Sequence, residues 1–404
     1  MRVAILSRVA HPFHGFGGLE RHVGALVRHL AREGAEVTLC TSPPYRSMEV
    51  SGVFESTRVE LISYRILPWP RRAGFVVADR VTNYLLWSLR TGRRALRLPV
   101  DVVHAEAGAA FGYAALRGSR AAPLVLQAQG MEEFKASWLK RLGYLPLRVA
   151  LRHAARRAER VLAPDRILSE EVGRYLGVDS ERTRVLPLAI DLEEVDRLAS
   201  APAAGAIERE LAIEKDAVLL LSVGRLESNK GFSVLAASLA AKKAALPPRW
   251  RWVLVGTGPE EAFLRRRARE LGISDRIRWA GELSDAWLAG LYRRADLFIH
   301  PTLYEGSSLV TLEAMAHRKA VVATAAGGIP DKIEHGESGF LVPPGDVEAM
   351  GAAIVEALSD PPRLREIGRR ARLRVEAEFD WKKRAKRLLE IYREVLAQAQ
   401  GVSG

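Results

Sequence analysis

Leu297-Phe298-Ile299-His300-Pro301-Thr302-Leu303-Tyr304-Glu305-Gly306-Ser307-Ser308-Leu309-Val310-Thr311-Leu312-Glu313-Ala314-Met315-Ala316 reads as a strand, a polar loop and a helix. The apolar strand stops at Pro301, and the helix starts near Ser307 or Ser308, where a serine hydroxyl can cap free N–H groups. A helix N-terminus at the carboxyl end of a strand is a place for an anion, because its N–H groups and its dipole point the same way. Glu313 follows one to two turns into the helix, among Leu309, Leu312 and Met315. A carboxylate in that setting needs hydrogen-bond donors, since burying it alone is costly. A diol such as a ribose supplies two; the alternative is that Ser307 only caps the helix and Glu313 pairs with a core arginine. Glu305, eight residues before Glu313, faces whatever lies beyond the anion.

The same alternation of short β-branched runs with helix-length segments extends through the chain. Val3 to Leu6, Glu36 to Thr41, Val102 to Ala105, Leu124 to Ala128 and Val161 to Ala163 read as strands, with a helix over Leu19 to Glu33. Runs that are apolar on both faces belong to a parallel sheet covered on both sides. The pattern breaks near Val185-Leu186-Pro187-Leu188-Ala189-Ile190-Asp191 and at Ala201-Pro202-Ala203-Ala204-Gly205. It restarts with strands at Val218 to Val223, Trp252 to Val255, Ile277 to Trp279, Leu297 to His300 and Val321 to Ala323. The fold class is therefore α/β, with two Rossmann-like doubly wound domains facing a cleft. The expected boundaries are 1–187, 188–380 and a basic helical tail, 381–404. Ligands bind at the carboxyl ends of strands in such sheets, so two sheets offer two half-sites.

Two further strand ends carry candidate ligand groups. Val218 to Val223 runs into Gly224-Arg225-Leu226-Glu227-Ser228-Asn229-Lys230-Gly231, which puts Arg225 and Lys230 at the mouth of the second sheet. Arginine forks onto two phosphate oxygens and lysine supplies a point charge. The alternative is a solvated loop with a Glu227–Lys230 surface pair. The first strand leads through His11-Pro12-Phe13-His14-Gly15-Phe16-Gly17-Gly18-Leu19-Glu20, whose glycines let backbone approach a ligand. Their spacing misses the dinucleotide fingerprint, since position 20 is Glu, and a simple tight turn is the competing reading. Gly256-Thr257-Gly258 reads as a turn.

Composition bounds what partners are reasonable. The 404 residues are 48% hydrophobic and 27% charged, which fits a folded chain of two or three domains. The net charge is +13, and residues 1–200 carry most of the excess, with 30 basic and 21 acidic side chains. One cysteine, Cys40, excludes an intramolecular disulfide framework and fits a reducing compartment. The N-terminal apolar run is too short for a signal peptide, and no stretch is long enough to span a membrane, so a cytoplasmic location is expected. From Arg65 to Arg97, the basic residues Arg65, Arg71, Arg72, Arg80, Arg90, Arg93, Arg94 and Arg97 meet one acid, Asp79, with Trp69, Phe75, Tyr84 and Trp87 interleaved. Nine basic residues lie between Lys135 and Arg166, near Trp138 and Tyr144. Basic helices with aromatic anchors can lie on an anionic membrane surface, so peripheral association with the inner face of the cell membrane is one expectation and an arginine-rich soluble surface is the other. No nucleic-acid module is recognisable, and nucleic acid is not expected as a partner.

Taken together, these segments resemble family 4 glycosyltransferases of the GT-B fold. The resemblance rests on Gly17-Gly18-Leu19-Glu20, Asp101-Val102-Val103-His104, Gly224-Arg225-Leu226 with Lys230-Gly231, Gly281 ahead of Leu291 to Asp296, Glu305 with Glu313, Val321 to Ala323 with Gly327-Gly328, and Gly336 to Val342. It covers nearly the whole chain. It implies transfer of a sugar from a nucleotide-sugar, a UDP- or GDP-sugar, with retention at the anomeric carbon and without a metal or cofactor. The implied acceptor is a lipid-linked or cell-envelope glycan or a small glycoside. It also implies that the last helix crosses back onto the first domain. Arg225, Lys230 and Glu305 would then be catalytic: the two cations neutralise the diphosphate and Glu305 meets the donor sugar. Gly17, Gly18, Ser307, Ser308, Leu309 and Glu313 would bind the donor, and His104 and Gln129 would lie on the acceptor or sugar side.

The chain also departs from the family pattern. Ser307-Ser308 stand where relatives usually carry Phe-Gly, Gln129 where many have a histidine before Gly130, and Glu106 where a second histidine often follows His104. Pro187-Leu188-Ala189 replaces a Pro-Asn-Gly hinge. Gln129 takes no proton at neutral pH and acts only by hydrogen bonding. Two rival readings are another GT-B enzyme, such as a nucleotide-sugar epimerase, and a non-catalytic sugar or nucleic-acid binding protein.

Overall fold

The structure, a computed structural model, describes residues 1–15, 17–46, 48–50, 52–64, 76–135, 138–199 and 204–401. Arg65, Trp69, Arg71, Arg72 and Phe75 of the first basic stretch, and Ala201 to Ala203 of the linker, lie outside the described residues. The chain divides into two compact units, Met1–Leu188 with Trp381–Gly404, and Ala189–Asp380.

The first unit is built on seven parallel strands: β1 (Arg2–Leu6), β2 (Glu36–Thr41), β3 (Thr57–Leu61), β4 (Val102–Glu106), β5 (Leu124–Gln127), β6 (Arg160–Ala163) and β7 (Thr183–Val185). Their order is β3-β2-β1-β4-β5-β6-β7. The order reverses between β1 and β4, which makes their carboxyl ends the switch point of the sheet. Val3 to Leu6 and all of β4 are buried, because helices cover both faces. Sequence reading passed over β3 and β7. Thr57-Arg58-Val59-Glu60-Leu61 is a half-exposed edge strand that alternates polar and apolar, and β7 is only three residues long.

The C-terminal helix Trp381–Gly401 belongs to this unit and packs on the helix Gly18–Arg32. Ala385, Leu388, Tyr392 and Val395 recur at helical spacing and are buried as one face. Trp381 is 2% exposed and stacks on His29 with ring centroids 5.6 Å apart. Arg384 lies over the Trp381 ring and donates to the carbonyls of Leu186 and Pro187. Burial pulls its pKa to about 10, so it remains a cation at neutral pH.

The second unit repeats the plan with six parallel strands: β8 (Val218–Val223), β9 (Trp250–Val255), β10 (Ile277–Gly281), β11 (Leu297–His300), β12 (Val321–Thr324) and β13 (Phe340–Val342). The order is β10-β9-β8-β11-β12-β13, with the switch point between β8 and β11. The register pairs Leu220 with Leu297 and Leu221 with Phe298. Ser222 Oγ donates to the Ile299 carbonyl (2.8 Å) and accepts from Trp252 Nε1 (3.1 Å), so this buried hydroxyl is satisfied across the central strands. The unit closes where the chain enters and leaves it, through Ile190 N–H on the Phe379 carbonyl (2.8 Å).

Candidate active site at the carboxyl edge of the second sheet

β8 and β11 are neighbours, so the segments leaving them are brought together although far apart in sequence. Gly231 adopts φ +67°, and a Cβ there would run into the carbonyl oxygen of Pro301. Leu303 N–H (2.8 Å) and Thr302 Oγ1 (3.1 Å) both donate to the Asn229 carbonyl. This stitching sets Lys230 against Glu305, with Nζ donating to Oε2 at 2.7 Å and the side chains 20% and 15% exposed.

Glu305 Oε2 also accepts from His300 Nε2 at 3.1 Å, and Ser308 Oγ lies 3.3 Å from the same nitrogen. Burial alone would raise the Glu305 pKa, but the His300 hydrogen bond and the charge of Lys230 outweigh it and hold the carboxyl down at about 2. Ser308 caps the helix Leu309–Ala316, accepting from Thr311 N–H (3.3 Å) and from Thr311 Oγ1 (2.9 Å). Ser307, one residue outside the cap, is partly exposed. The site therefore brings together a capped helix N-terminus, a cation and an ionised carboxylate.

The remaining residues of the second sheet edge take different partners from those the sequence offered. Glu313 Oε2 accepts from Tyr292 OH (3.1 Å), so a tyrosine, not a core arginine, holds it. Arg225 is 76% exposed and pairs with Glu227 (2.9 Å), which corrects the Glu227–Lys230 alternative. Gly256 to Gly258 is a loop packed against the segment leaving β8, with Leu226 N–H on the Thr257 carbonyl (2.9 Å).

Three residues here were not singled out in the sequence. His300 is 1% exposed, and a histidine in an apolar strand reads as core; its signal was its place at the strand end, five residues before Glu305. Tyr292 falls within the Leu291 to Asp296 motif, but nothing in the helix Asp285–Arg294 marked it as the partner of Glu313. Lys332 is 1% exposed and donates from Nζ to Ser307 Oγ (2.8 Å) and to the Gly328 carbonyl (3.0 Å).

At the switch point of the first sheet, β4 ends in Glu106, 2% exposed. Its carboxylate lies 3.3 Å from His104 Nε2 and 3.5 Å from His22 Nε2, and accepts from Gln129 Nε2. Burial opposes ionisation of Glu106, yet the two histidines hold its pKa well below the usual carboxylate range. His104 Nδ1 is 2.8 Å from Tyr392 OH, so the C-terminal helix reaches this cluster directly. His104 has no exposed surface. Its expected place facing acceptor or sugar is corrected: it sits enclosed beneath the edge against Glu106, while Gln129 is partly exposed. Gly17 is the N-cap of the helix Gly18–Arg32, and a Cβ on it would meet the carboxylate of Glu20.

Some side chains of the basic stretches are engaged within the first unit, whereas Arg80, Arg90, Arg93 and Arg97 are exposed. Trp87 is fully buried with Nε1 on the Ile62 carbonyl (3.0 Å), and the partly buried Tyr84 stacks on it, so Trp87 is core and not a surface anchor. Arg148 and Arg152 lie over the Phe134 ring at 5.0 and 5.4 Å, Lys135 pairs with Glu171, and Arg94 with Glu60 (2.7 Å). The side chains of Trp138 and Lys140 lie outside the described residues. Exposed apolar side chains remain at Leu142 (63%), Leu145 (48%) and Val149 (56%), beside exposed Arg141. Among the described residues no helix is long and apolar enough to cross a membrane, and no group of three or more His, Cys, Asp or Glu could hold a metal ion. Cys40 is buried in β2, which pushes its thiol up to about 12.

The family described as "Glycosyltransferase Family 4" matches residues 16–194, and the one described as "Glycosyl transferases group 1" matches residues 205–374. The D-inositol 3-phosphate glycosyltransferase of Thermobispora bispora is 34% identical over 59% of this chain and 56% of its own, so the chain spans little more than half the length of that relative. The α-D-kanosaminyltransferase of Streptomyces kanamyceticus is 28% identical over 92% of this chain and 98% of its own. Among solved structures, Anabaena HepE in complex with UDP shares the fold, with a TM-score of 0.75 at 22% identity over 98% of this chain and 100% of that one. With matches to both halves and a pair of doubly wound sheets, the chain belongs to the family 4 glycosyltransferases of the GT-B type.

Proposed function

We propose that the protein transfers a sugar from a nucleotide-sugar, with retention at the anomeric carbon, and needs no metal. The observation that carries this reading is the Lys230–Glu305 contact at the β8/β11 switch point, beside the capped N-terminus of Leu309–Ala316. The helix end and Lys230 receive the diphosphate, and Arg225, exposed at the end of β8, adds a forked cation. As the sugar–phosphate bond breaks, negative charge grows on the phosphate and positive charge on the anomeric carbon. Lys230 and Arg225 stabilise the first, and the ionised Glu305 the second. The departing phosphate accepts the proton of the acceptor hydroxyl on the same face. Glu313, oriented by Tyr292, takes the ribose hydroxyls. UDP is the first nucleotide to try, since HepE is described in complex with it.

The test is a thermal-shift screen of UDP-, GDP- and ADP-sugars, because a ligand of the folded state raises apparent stability by mass action. NMR of the product with the stabilising donor then distinguishes transfer with retention from an epimerised donor. Stabilisation by none of these donors, or an epimerised product, would overturn the reading.

For the acceptor, a lipid-linked or cell-envelope glycan or a small glycoside fits, and the exposed Leu142, Leu145 and Val149 beside Arg141 support presentation at an anionic membrane surface. Co-sedimentation with phosphatidylglycerol vesicles at low salt, weakened in Leu145→Glu, is the expected result. Equal recovery with and without vesicles would count against membrane docking.

A further inference from the structure

Lys332 is the one lysine counted among the largest fully buried side chains of the described residues. It comes from the segment after Gly327-Gly328, where the notable motif was only the glycine pair. Gly327 has φ +51°, and a Cβ on it would run into the Glu305 carbonyl, while Gly328 N–H donates to the Gly306 carbonyl at 2.9 Å. The glycine turn thus lies directly against the Glu305–Ser307 loop. Lys332 completes the clamp, holding the Gly328 carbonyl with one N–H and Ser307 Oγ with another.

The direction of that second bond matters. An ammonium only donates, so Ser307 Oγ is the acceptor and its own proton must point elsewhere. Among the described residues the Ser307 hydroxyl makes no other hydrogen bond, and it is partly exposed. Its O–H, polarised by the ammonium behind it, is left as a donor at the end of the helix where the anion would sit. A hydroxyl paired with another hydroxyl can exchange donor and acceptor roles; this one can only accept from the ammonium, which leaves its proton for another partner.

We propose that Lys332 is a positioning residue for the donor site, and that it sets the Ser307 hydroxyl to donate to the phosphate nearest the sugar. Ser307 lies two residues from Glu305, on the path from the sugar side to the helix end, which selects the distal phosphate over the one next to the nucleoside. This deepens the sugar-transfer reading and rests on it. It adds a side-chain contact that the backbone N–H groups of the loop do not supply.

The experiment compares nucleoside, monophosphate and diphosphate binding by calorimetry, using uridine, UMP and UDP, or the guanosine or adenosine series if wild type prefers it. Ser307→Ala and Lys332→Met should each weaken UDP about tenfold, as expected for one charge-assisted hydrogen bond, and leave UMP within about twofold. The double variant should be no weaker than either single one, because both remove the same contact. A merely structural lysine would instead lower UMP and UDP affinity alike, which overturns the proposal. Ser307→Ala binding UDP as tightly as wild type also overturns it, and that variant decides the matter if Lys332→Met does not fold. If wild type binds no diphosphate of any base, the sugar-transfer reading itself fails; if wild type binds UDP and Ser307→Ala binds it equally, only this inference does.

Discussion

Lys230 is paired with Glu305, so under the proposed function a diphosphate competes with that carboxylate for the ammonium. The consequence is that Glu305→Gln binds UDP more tightly than wild type while losing transfer activity. The Lys230–Glu305 bond is 2.7 Å long between side chains that are 20% and 15% exposed. Two unit charges at that distance attract by roughly 6 kcal/mol at an effective dielectric of about 20, most of which is cancelled by desolvation. A hydrogen bond to a charged group is worth about 1.5–3 kcal/mol net. Lys230 has three donors and gives up only part of this to a phosphate, so the lower end applies: about tenfold in Kd at 1.4 kcal/mol per factor of ten. Removing the carboxylate also removes its repulsion of the incoming anion, which acts in the same direction.

Turnover moves the other way. Without a carboxylate opposite the anomeric carbon, kcat should fall about a hundredfold or more, the usual scale for losing a preorganised electrostatic partner of the transition state. Calorimetric titration of wild type, Glu305→Gln and Lys230→Ala with UDP at about 0.15 M salt makes the comparison, with Lys230→Ala expected to bind more weakly than wild type. Glu305→Gln binding UDP no more tightly than wild type would refute the competition. An unchanged kcat in that variant would refute the role given to Glu305.

The pKa of Glu305 makes a second prediction. It is held down from an ordinary 4.5 to about 2, so its contribution to stability, roughly 3 kcal/mol at about 1.4 kcal/mol per unit, is present above pH 4.5 and disappears as pH falls toward 2. The urea-stability gap between wild type and Glu305→Gln should shrink over that interval, and a gap independent of pH would contradict the assignment. Gly327→Ala meets both a left-handed backbone and the Glu305 carbonyl, so it should cost about 1–3 kcal/mol in stability and also weaken UDP binding, whereas loss of stability with unchanged binding would mean the loop does not move with the turn. Trp381→Ala removes a buried ring stacked on His29 and should destabilise by about 3–5 kcal/mol in chemical denaturation; a cost below about 1 kcal/mol would show that the C-terminal helix is not anchored there.

What the sequence made legible follows burial. β1, β8 and β11 lie in sheet interiors, so they are near-continuous apolar runs and can be read directly, whereas edge strands such as β3 and three-residue strands such as β7 and β13 give no run to read. The same distinction holds at the site. Arg225, Lys230, Glu305 and Ser308 were recognisable because each follows a legible strand. Their pairing was not, because it depends on the register of β8 with β11 and on two glycines that admit another backbone. His104 was misplaced for a related reason: on β4, period-two alternation puts His104 and Glu106 on the same face, and only the C-terminal helix, through Tyr392, decides that His104 is enclosed.

Net charge was the least informative of the sequence signals, and the structure gives the reason. A count of +13 treats all cations as available to a partner. Arg384 is spent on two backbone carbonyls, Arg148 and Arg152 on an aromatic ring, Arg372 on Asp196 and Glu376, and Lys332 on Ser307 and Gly328. The two cations proposed to meet an anionic donor, Arg225 and Lys230, are each paired with a carboxylate. Affinity is then set by an exchange of partners, not by an accumulation of charge. In the proposed reaction such an exchange would have a use: a donor that takes Lys230 would release Glu305 from its counter-ion as the sugar arrives. A carboxylate freed in that way is a better stabiliser of positive charge at the anomeric carbon than one still neutralised by its lysine.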